Sequence, residues 1–509
     1  MDEKRIAPDF LKNNLYRFVH MVLSHLGGII FTIFIARILG PKEFGTYVLA
    51  MSFALILISL GELGINEATV RYISLYQKNI KKAKSYFVYL LKLKIVILLI
   101  LSLTLISTSK LLAYFYNDST LVFPIIIAGL YIFFYSLMQI LTNLFFALQN
   151  MKAVIYKEVV FQILRIILIP LVLTFSVFFI VSGPIILSIL SSLGGLLFSI
   201  IYLYKNYPYF LKSNLVKIDK KELFRFMKYL SVSSLSLLVL LYTDVLILGK
   251  FVDLEFLGFY KTASSIVLMA ASFLTLTIVL YPILTRLDKE KIKKIFDILL
   301  YYLLIISIPL TLGTIFMGKA IISLLFGYEY LPAVIPLYGL ALLIFILPLE
   351  EMFRTLINSR GESKLTAKTM TIASILNIVL NLAFAYGFLI IFKQQIYAAL
   401  GVSIATILSR AFVLISLLII SKKKFDTTLI PIFIIKPLIS GAVMTLFLIY
   451  FNNLFAGSAN LFSIILEIIL AALIYFIVLY LIKGVSKKEF NYIFDLFKEN
   501  FNYSDKKSN

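Results

Sequence analysis

A succession of long apolar stretches constrains this chain more than any other feature. Fourteen runs of about 18–28 residues are each long enough to cross roughly 30 Å of hydrocarbon as a helix. Their limits fall near 14–39, 45–66, 87–109, 120–148, 153–180, 183–204, 228–249, 256–284, 295–318, 332–358, 365–392, 395–420, 429–451 and 460–483. The breaks between them are short and polar, as at Gly40-Pro41-Lys42, Asn117-Asp118 and Ser182-Gly183-Pro184. The expected fold class is therefore an all-α integral membrane protein of about 14 transmembrane helices. Composition agrees, with 61% hydrophobic and 15% charged residues against about half and about a quarter in soluble domains.

The distribution of basic residues tests this map. The net charge is +22, which in a soluble protein would suggest nucleic acid. Here, with span-end residues counted in the adjoining loop and the N-terminus inside, 35 of the 48 Lys and Arg fall in cytoplasmic segments and 7 in outer loops. That asymmetry is a strong positive-inside signal. It predicts a multi-pass protein of the cell membrane with both termini cytoplasmic and no nucleic-acid partner.

An internal repeat divides the chain. Gly45-Thr46-Tyr47, with Ala50 beyond, recurs as Gly258-Phe259-Tyr260 with Ala263, at an offset of 213. Pro124 matches Pro336, and Ile163-Leu164-Arg165-Ile166 matches Ile375-Leu376-Asn377-Ile378, both at 212. Three matches at nearly one offset argue for duplication. Six spans per half give parallel repeats, related by an axis along the membrane normal. The expected organisation is one six-helix bundle over 1–210, a second over 211–424, an appended pair of spans over 425–485 and a cytoplasmic amphipathic tail over 486–509. The connector at 205–228 carries seven Lys and Arg. Asp219 with Glu222, and Ser486 with Glu489, resemble capping boxes.

Chemistry is limited mostly by what the sequence lacks. It has no Cys and two His, His20 and His25, so thiol chemistry is excluded and no metal centre is expected. No GxxxxGK[ST], HExxH or GxSxG occurs, and the outer loops are too short for a membrane glycosyltransferase or polymerase. No catalytic residue is assigned, and no cofactor is expected.

The informative residues are ions inside the membrane. Arg165 lies about twelve residues into its span, roughly 18 Å deep. Arg410 lies about ten residues from the cytoplasmic end of its own, roughly 15 Å deep. Two readings stay open for them: cations of a central cavity, or internal ion pairs with Glu158, Glu350 or Glu351. Lys261 either lines the outer mouth or snorkels. Asp244 either binds a coupling cation or hydrogen-bonds a neighbouring helix. Glu350, Glu351 and Glu62 belong to the anionic set open to gating or coupling, with Glu351 also placed to pair with Arg354 at i,i+3. His25 is either a proton-coupled switch or a packed neutral side chain. Asn143, Asn377 and Asn381 can bond between helices.

These residues resemble a known family. Ala36-Arg-Ile-Leu-Gly-Pro-Lys-Glu-Phe-Gly-Thr-Tyr47 and Gly64-Ile-Asn-Glu-Ala-Thr-Val-Arg-Tyr72 look like the N-terminal signature of Wzx-type polysaccharide-export flippases, within the multidrug/oligosaccharidyl-lipid/polysaccharide (MOP) exporter superfamily. Tyr242-Thr-Asp-Val-Leu-Ile-Leu-Gly249, Phe326-Gly-Tyr-Glu-Tyr330 and Asn377-Ile-Val-Leu-Asn381 extend the likeness over nearly the whole chain. The resemblance implies two six-helix bundles around a central cavity and alternating access. It implies a polyprenyl-(pyro)phosphate-linked oligosaccharide as substrate, and a cationic cavity to which Arg165, Arg410 and Lys261 correspond in type. Membrane lipids and glycan-assembly proteins are the partners it suggests, with coupling to a Na+ or H+ gradient or to the membrane potential. The appended pair is similar to the extra helices of lipid II flippases. The alternative is a MATE-like cation-coupled exporter of small organic cations.

Overall fold

The computed structural model describes residues 6–171, 180–274, 284, 289–427, 431–454 and 461–484; at 6–15, 229–237, 289–292, 294, 431–433 and 452–454 it describes backbone only. The expected tail at 486–509, with its Ser486–Glu489 box, lies outside the described residues. Among those described the secondary structure is helical with no strand. Eleven helices are long and apolar enough to cross a membrane, or twelve if one bent pair is a single span. The expected spans at 153–180 and 228–249 both include residues whose placement or side chains are not described, so fourteen is not reached in this count.

In chain order the helices are α1 (Ile6–Leu39), α2 (Pro41–Glu62), α3 (Ile65–Leu75), α4 (Ile80–Phe115), α5 (Val122–Ala147), α6 (Met151–Ile167), α7 (Ser182–Asn206) and α8 (Pro208–Lys212). They continue as α9 (Lys220–Phe251), α10 (Leu254–Phe273), α11 (Lys289–Leu325), α12 (Val334–Leu340), α13 (Leu343–Ser359), α14 (Ser363–Phe392), α15 (Gln395–Phe425), α16 (Pro431–Leu454) and α17 (Leu461–Leu481). By packing, the chain falls into two compact units: residues 16–261 with 374–402, and residues 1–15 and 262–373 with 403–509.

Local chemistry sets the helix ends. Pro41 opens α2 after Gly40, whose φ of 77° suits only glycine. Asn79 and Asn150 cap α4 and α6, accepting from the backbone N–H of Lys82 and Ala153 at 3.1 Å. Asp219 caps α9 through Glu222 N at 3.0 Å, half of the expected capping box; the Glu222 carboxylate accepts from the Tyr72 hydroxyl at 3.4 Å.

Two apolar spans are interrupted. Leu63 (φ 39°) and Gly64 (φ 73°) take left-handed backbone and separate α2 from α3. The segment Tyr328–Leu340 meets α13 at 44°. Pro348, inside α13, has no N–H to return to the preceding turn, which weakens the helix just past this bend.

Within the first unit, α2 and α10 approach backbone to backbone. A Cβ on Gly45 would lie 1.7 Å from the Leu254 carbonyl oxygen, and one on Gly258 would lie 2.2 Å from that of Pro41. The contact is reciprocal, because each glycine meets the carbonyl four residues before the other. These are the two glycines of the repeated Gly-x-Tyr, so the positions that matched at an offset of 213 are the ones that touch. No side chain fits there, since the obstacle is backbone. Gly45→Ala and Gly258→Ala are each expected to destabilise the protein by about 1–3 kcal/mol. Gly28→Ala, where an added Cβ meets nothing within 4 Å, is the neutral control in thermal unfolding in detergent micelles.

Candidate functional site

Arg165 stands in the last turn of α6. Its guanidinium carbon sits 3.7 Å from the centre of the Phe31 ring on α1, a cation–π contact. The Tyr47 hydroxyl on α2 lies within reach of Arg165 and Ser188. Nε of Arg165 is buried with no hydrogen-bond partner. None of the ion pairs among the described residues includes Arg165. Tyr47, Tyr131, Tyr135 and Tyr242 fall within electrostatic range of one another or of this cation. Tyr131 stacks on Tyr135 with ring centres 5.1 Å apart. The result is a cation held by aromatic rings and hydroxyls, with a donor unused.

The carboxylate expected as a partner for Arg165 is engaged elsewhere. Glu158 accepts from Lys157 Nζ at 2.8 Å and from Gln162 at 2.8 Å, and lies 3.5 Å from His20 Nε2. Lys157, Glu158 and Gln162 are all buried. Glu62 accepts from Asn66 at 2.9 Å, and Asn66 in turn accepts from Lys94 Nζ at 3.0 Å. Lys94 is fully buried on α4, within electrostatic range of Glu62 and Glu67.

Asp244 on α9 is bound from two helices. Tyr260 on α10 donates to Oδ2 at 2.7 Å, and Asn381 on α14 donates to Oδ1 at 2.8 Å. Asn381 also donates to Asn377 at 3.1 Å, and its own Oδ1 is buried with no partner. Lys261, next to Tyr260, is half-buried. Asn143 bonds its own helix, at the Gln139 carbonyl, as does His25 at that of Met21.

In the second unit Arg410 on α15 donates to both oxygens of Glu350 on α13, at 3.2 and 3.4 Å. Both side chains are buried. Arg354 pairs with Glu351 one turn apart, and it lies within electrostatic range of Glu350 and Arg410. Two arginines and two glutamates thus form one neutral cluster. Arg165 and Arg410 therefore differ: Arg410 takes the ion-pair arrangement, while Arg165 keeps its charge uncompensated by any carboxylate among the described residues.

Sequence reasoning passed over Lys94, Lys157, Phe31 and Tyr47. Lys157 read as a loop charge at a span end. Tyr47 belongs to the repeated Gly-x-Tyr, but that match does not give its neighbour Arg165, and no spacing singles out Phe31 among 45 Phe.

Breaking the Arg410–Glu350 pair from one side leaves an uncompensated buried charge. Arg410→Met and Glu350→Leu alone are each expected to destabilise by about 3 kcal/mol or more, and the double variant to recover most of that loss. Unfolding temperatures of the three variants check this.

The model of the polysaccharide biosynthesis protein family matches residues 10–288. Among solved structures, the fold is similar to the lipid II flippase MurJ in an inward closed conformation, with a TM-score of 0.71 at 17% identity, covering 92% of this chain and 98% of that one. It is also similar to an inward-facing multidrug resistance MATE transporter of the MOP superfamily, with a TM-score of 0.59 at 16% identity, covering 79% and 96%. A third is a MOP superfamily transporter from Pyrococcus furiosus described as having a binding pocket of reverse polarity, with a TM-score of 0.55 at 16% identity, covering 82% and 96%. No curated protein matches the chain by sequence.

Proposed function

The chain belongs to the polysaccharide biosynthesis protein family, and from that premise we propose that it moves polyprenyl-(pyro)phosphate-linked oligosaccharides from the cytoplasmic to the outer leaflet. Its family and fold are those of multi-pass membrane transporters and flippases. Arg165 carries the finer reading. A pyrophosphate bears two or three negative charges, and a guanidinium with an unused N–H offers it charge-assisted donors. In a site of low dielectric that attraction is much stronger than in water. The tyrosines around it supply faces and hydroxyls suited to sugar rings.

In this reading Arg165 recruits the head group, and Lys261 adds a second cation toward the outer side. Arg410 is tied to Glu350 and becomes available to an anion only when that pair opens. Release requires that Arg165 not hold the anion too firmly, and its contact with Phe31 competes with the ligand. Alternating access of the two halves then carries the head group across. Both termini are assigned to the cytoplasm, and glycan-assembly proteins supply the substrate there.

Coupling is assigned to Asp244. Its carboxylate accepts from the Tyr260 hydroxyl and from the Asn381 amide, and an oxygen freed from either bond suits a hard monovalent cation such as Na+, or a proton. Glu62, Glu351 and His25 remain as gating positions, each engaged in a local bond.

The test is leaflet exchange of a fluorescent polyprenyl-pyrophosphate-linked saccharide in proteoliposomes. Wild-type protein is expected to accelerate exchange. Arg165→Ala is expected to lower the rate at least tenfold with little change in unfolding temperature, and Arg165→Lys to restore part of it. Uptake of organic cations without exchange of any polyprenyl-linked glycan would overturn the reading in favour of a MATE-like exporter.

A second measurement concerns coupling. Asp244→Asn is expected to make exchange indifferent to imposed Na+ and pH gradients while leaving the downhill rate measurable. Undiminished gradient dependence in that variant would remove Asp244 from the coupling role.

A further inference from the structure

The connector between the sixth and seventh spans has no part in the transport reading, yet it walls a groove of about 870 Å³. One wall is a single face of α4, where Ser85, Tyr89 and Lys92 follow each other at helical spacing. The other wall is the connector from Leu215 onward and the first residues of α9. The connector is pinned to α4 at two points. Val216 N–H donates to Ser85 Oγ at 2.8 Å, and Lys84 Nζ donates to the Ser213 carbonyl at 2.7 Å. All of these residues belong to one compact unit.

The groove gathers cations. Lys92, Lys217, Lys220 and Lys221 line it against a single carboxylate, Asp219. That carboxylate accepts from the Glu222 N–H and caps α9. Lys220 Nζ lies 5.0 Å from the centre of the Tyr89 ring, so an aromatic face holds one of the four in place. None of the four lysines takes part in an ion pair among the described residues.

The groove is also apolar in a way that a site for a soluble anion need not be. Leu215 is 56% exposed and Val216 is 41% exposed, directly before Lys217. Lys92 lies about five residues, or roughly 7.5 Å, beyond the point where its apolar stretch begins. Cations at this depth beside uncovered aliphatic groups suit the boundary between head groups and acyl chains. The basic-residue asymmetry assigns this face to the cytoplasm, where anionic lipids draw lysine clusters.

We propose that this groove is a binding site for the phosphate head group of an anionic phospholipid of the cytoplasmic leaflet. The lysines of the connector and Lys92 hold the phosphate from opposite walls. Leu215 and Val216 rest against the first methylenes of the acyl chains. The bound lipid fastens the connector to α4, adding to the two hydrogen bonds that already tether it. This inference goes beyond the transport reading and does not depend on it.

The test uses full-length protein in nanodiscs of phosphatidylcholine alone or mixed with phosphatidylglycerol. Amide hydrogen exchange is followed over residues 214–222, and retained lipid is counted by native mass spectrometry. Phosphatidylglycerol is expected to slow exchange in this segment several-fold. A Lys217→Gln/Lys220→Gln/Lys221→Gln variant is expected to bind it at least tenfold more weakly, given about fivefold per lysine near an anionic surface. A Lys205→Gln/Lys212→Gln variant, which changes charge at the ends of α7 and α8 and not in the groove lining, is expected to behave as wild type, and matching unfolding temperatures establish that the variants fold. The proposal is overturned by an absence of slowing, or by an equal loss in the control variant, which would mean diffuse surface attraction. It is also overturned if millimolar inorganic phosphate reproduces the protection in phosphatidylcholine discs. Stronger protection by a polyprenyl pyrophosphate than by phosphatidylglycerol at equal mole fraction overturns it in favour of a substrate-docking site. Because exchange is read without transport, failure here leaves the flippase reading untouched.

Discussion

A charge carried into hydrocarbon must be compensated from within the protein. Transfer of one ionised side chain to the middle of a bilayer costs about 2.5–3.5 kcal/mol on insertion scales, and an ion buried without a partner costs several kcal/mol more than one that is paired. Most of the buried ions here meet that requirement in small closed groups: Lys157 with Glu158, Glu62 with Asn66 and Lys94, and Arg410 with Glu350. Asp244 is satisfied by hydrogen bonds from Tyr260 and Asn381. Each group joins residues from different helices or from the two sides of a helix break, except Lys157–Glu158, which His20 on α1 extends across helices. The groups therefore fix which helices lie side by side as well as balancing charge.

Arg165 stands outside these groups, as does the buried carboxylate of Glu467 on α17, whose Oε1 has no hydrogen-bond partner. A guanidinium beside an aromatic ring and a tyrosine hydroxyl is solvated well enough to persist, but no carboxylate among the described residues neutralises it. A permanent partner such as the one Arg410 has would have to be displaced before an anion bound, and the displaced carboxylate would then repel that anion. Phe31 competes with the anion for the guanidinium but carries no charge to repel it. The same reasoning separates an anion carrier from a carrier of organic cations. The second needs an uncommitted carboxylate at the place where α6 presents the cation of Arg165.

The features legible in the sequence are those with a period or a short offset. Apolar length alone gives the eleven or twelve spans found among the described residues, because twenty apolar residues have few other uses. The i,i+3 spacing gives Glu351–Arg354, and the alternatives open for Asp244 and Arg410 include the contacts they make. The repeat offset gives Gly45 and Gly258, although only the packing shows that they touch. Lys94 and Lys157 were hidden for a physical reason. A lysine within two turns of a span end normally snorkels to water, and both sit there by residue count. What keeps them buried comes from outside that pattern: for Lys94 it is Asn66, on a helix separated from α2 by a break, and for Lys157 it is its own neighbour Glu158. The choice of Phe31 and Tyr47 depends on how α1 and α2 lean against α6, which no local pattern encodes.

The helix interruptions tie these points together. Inside a membrane, a break frees backbone groups that must be satisfied by the protein itself. At Leu63-Gly64 the carbonyl end of α2 carries partial negative charge, to which Glu62 and Glu67 add. A buried cation is what that end requires, and Lys94 supplies it through Asn66, the second residue of α3. At the other interruption, Glu350 lies about two turns past the 44° bend and meets Arg410. In both places a break in a span and a buried ion network occupy the same stretch of chain. A continuous helix would leave Lys94 facing apolar side chains, and without Lys94 the broken helix would end in uncompensated negative charge. Each feature is tolerable because the other is present, so irregular backbone and buried charge persist together in a chain otherwise built of regular apolar helices.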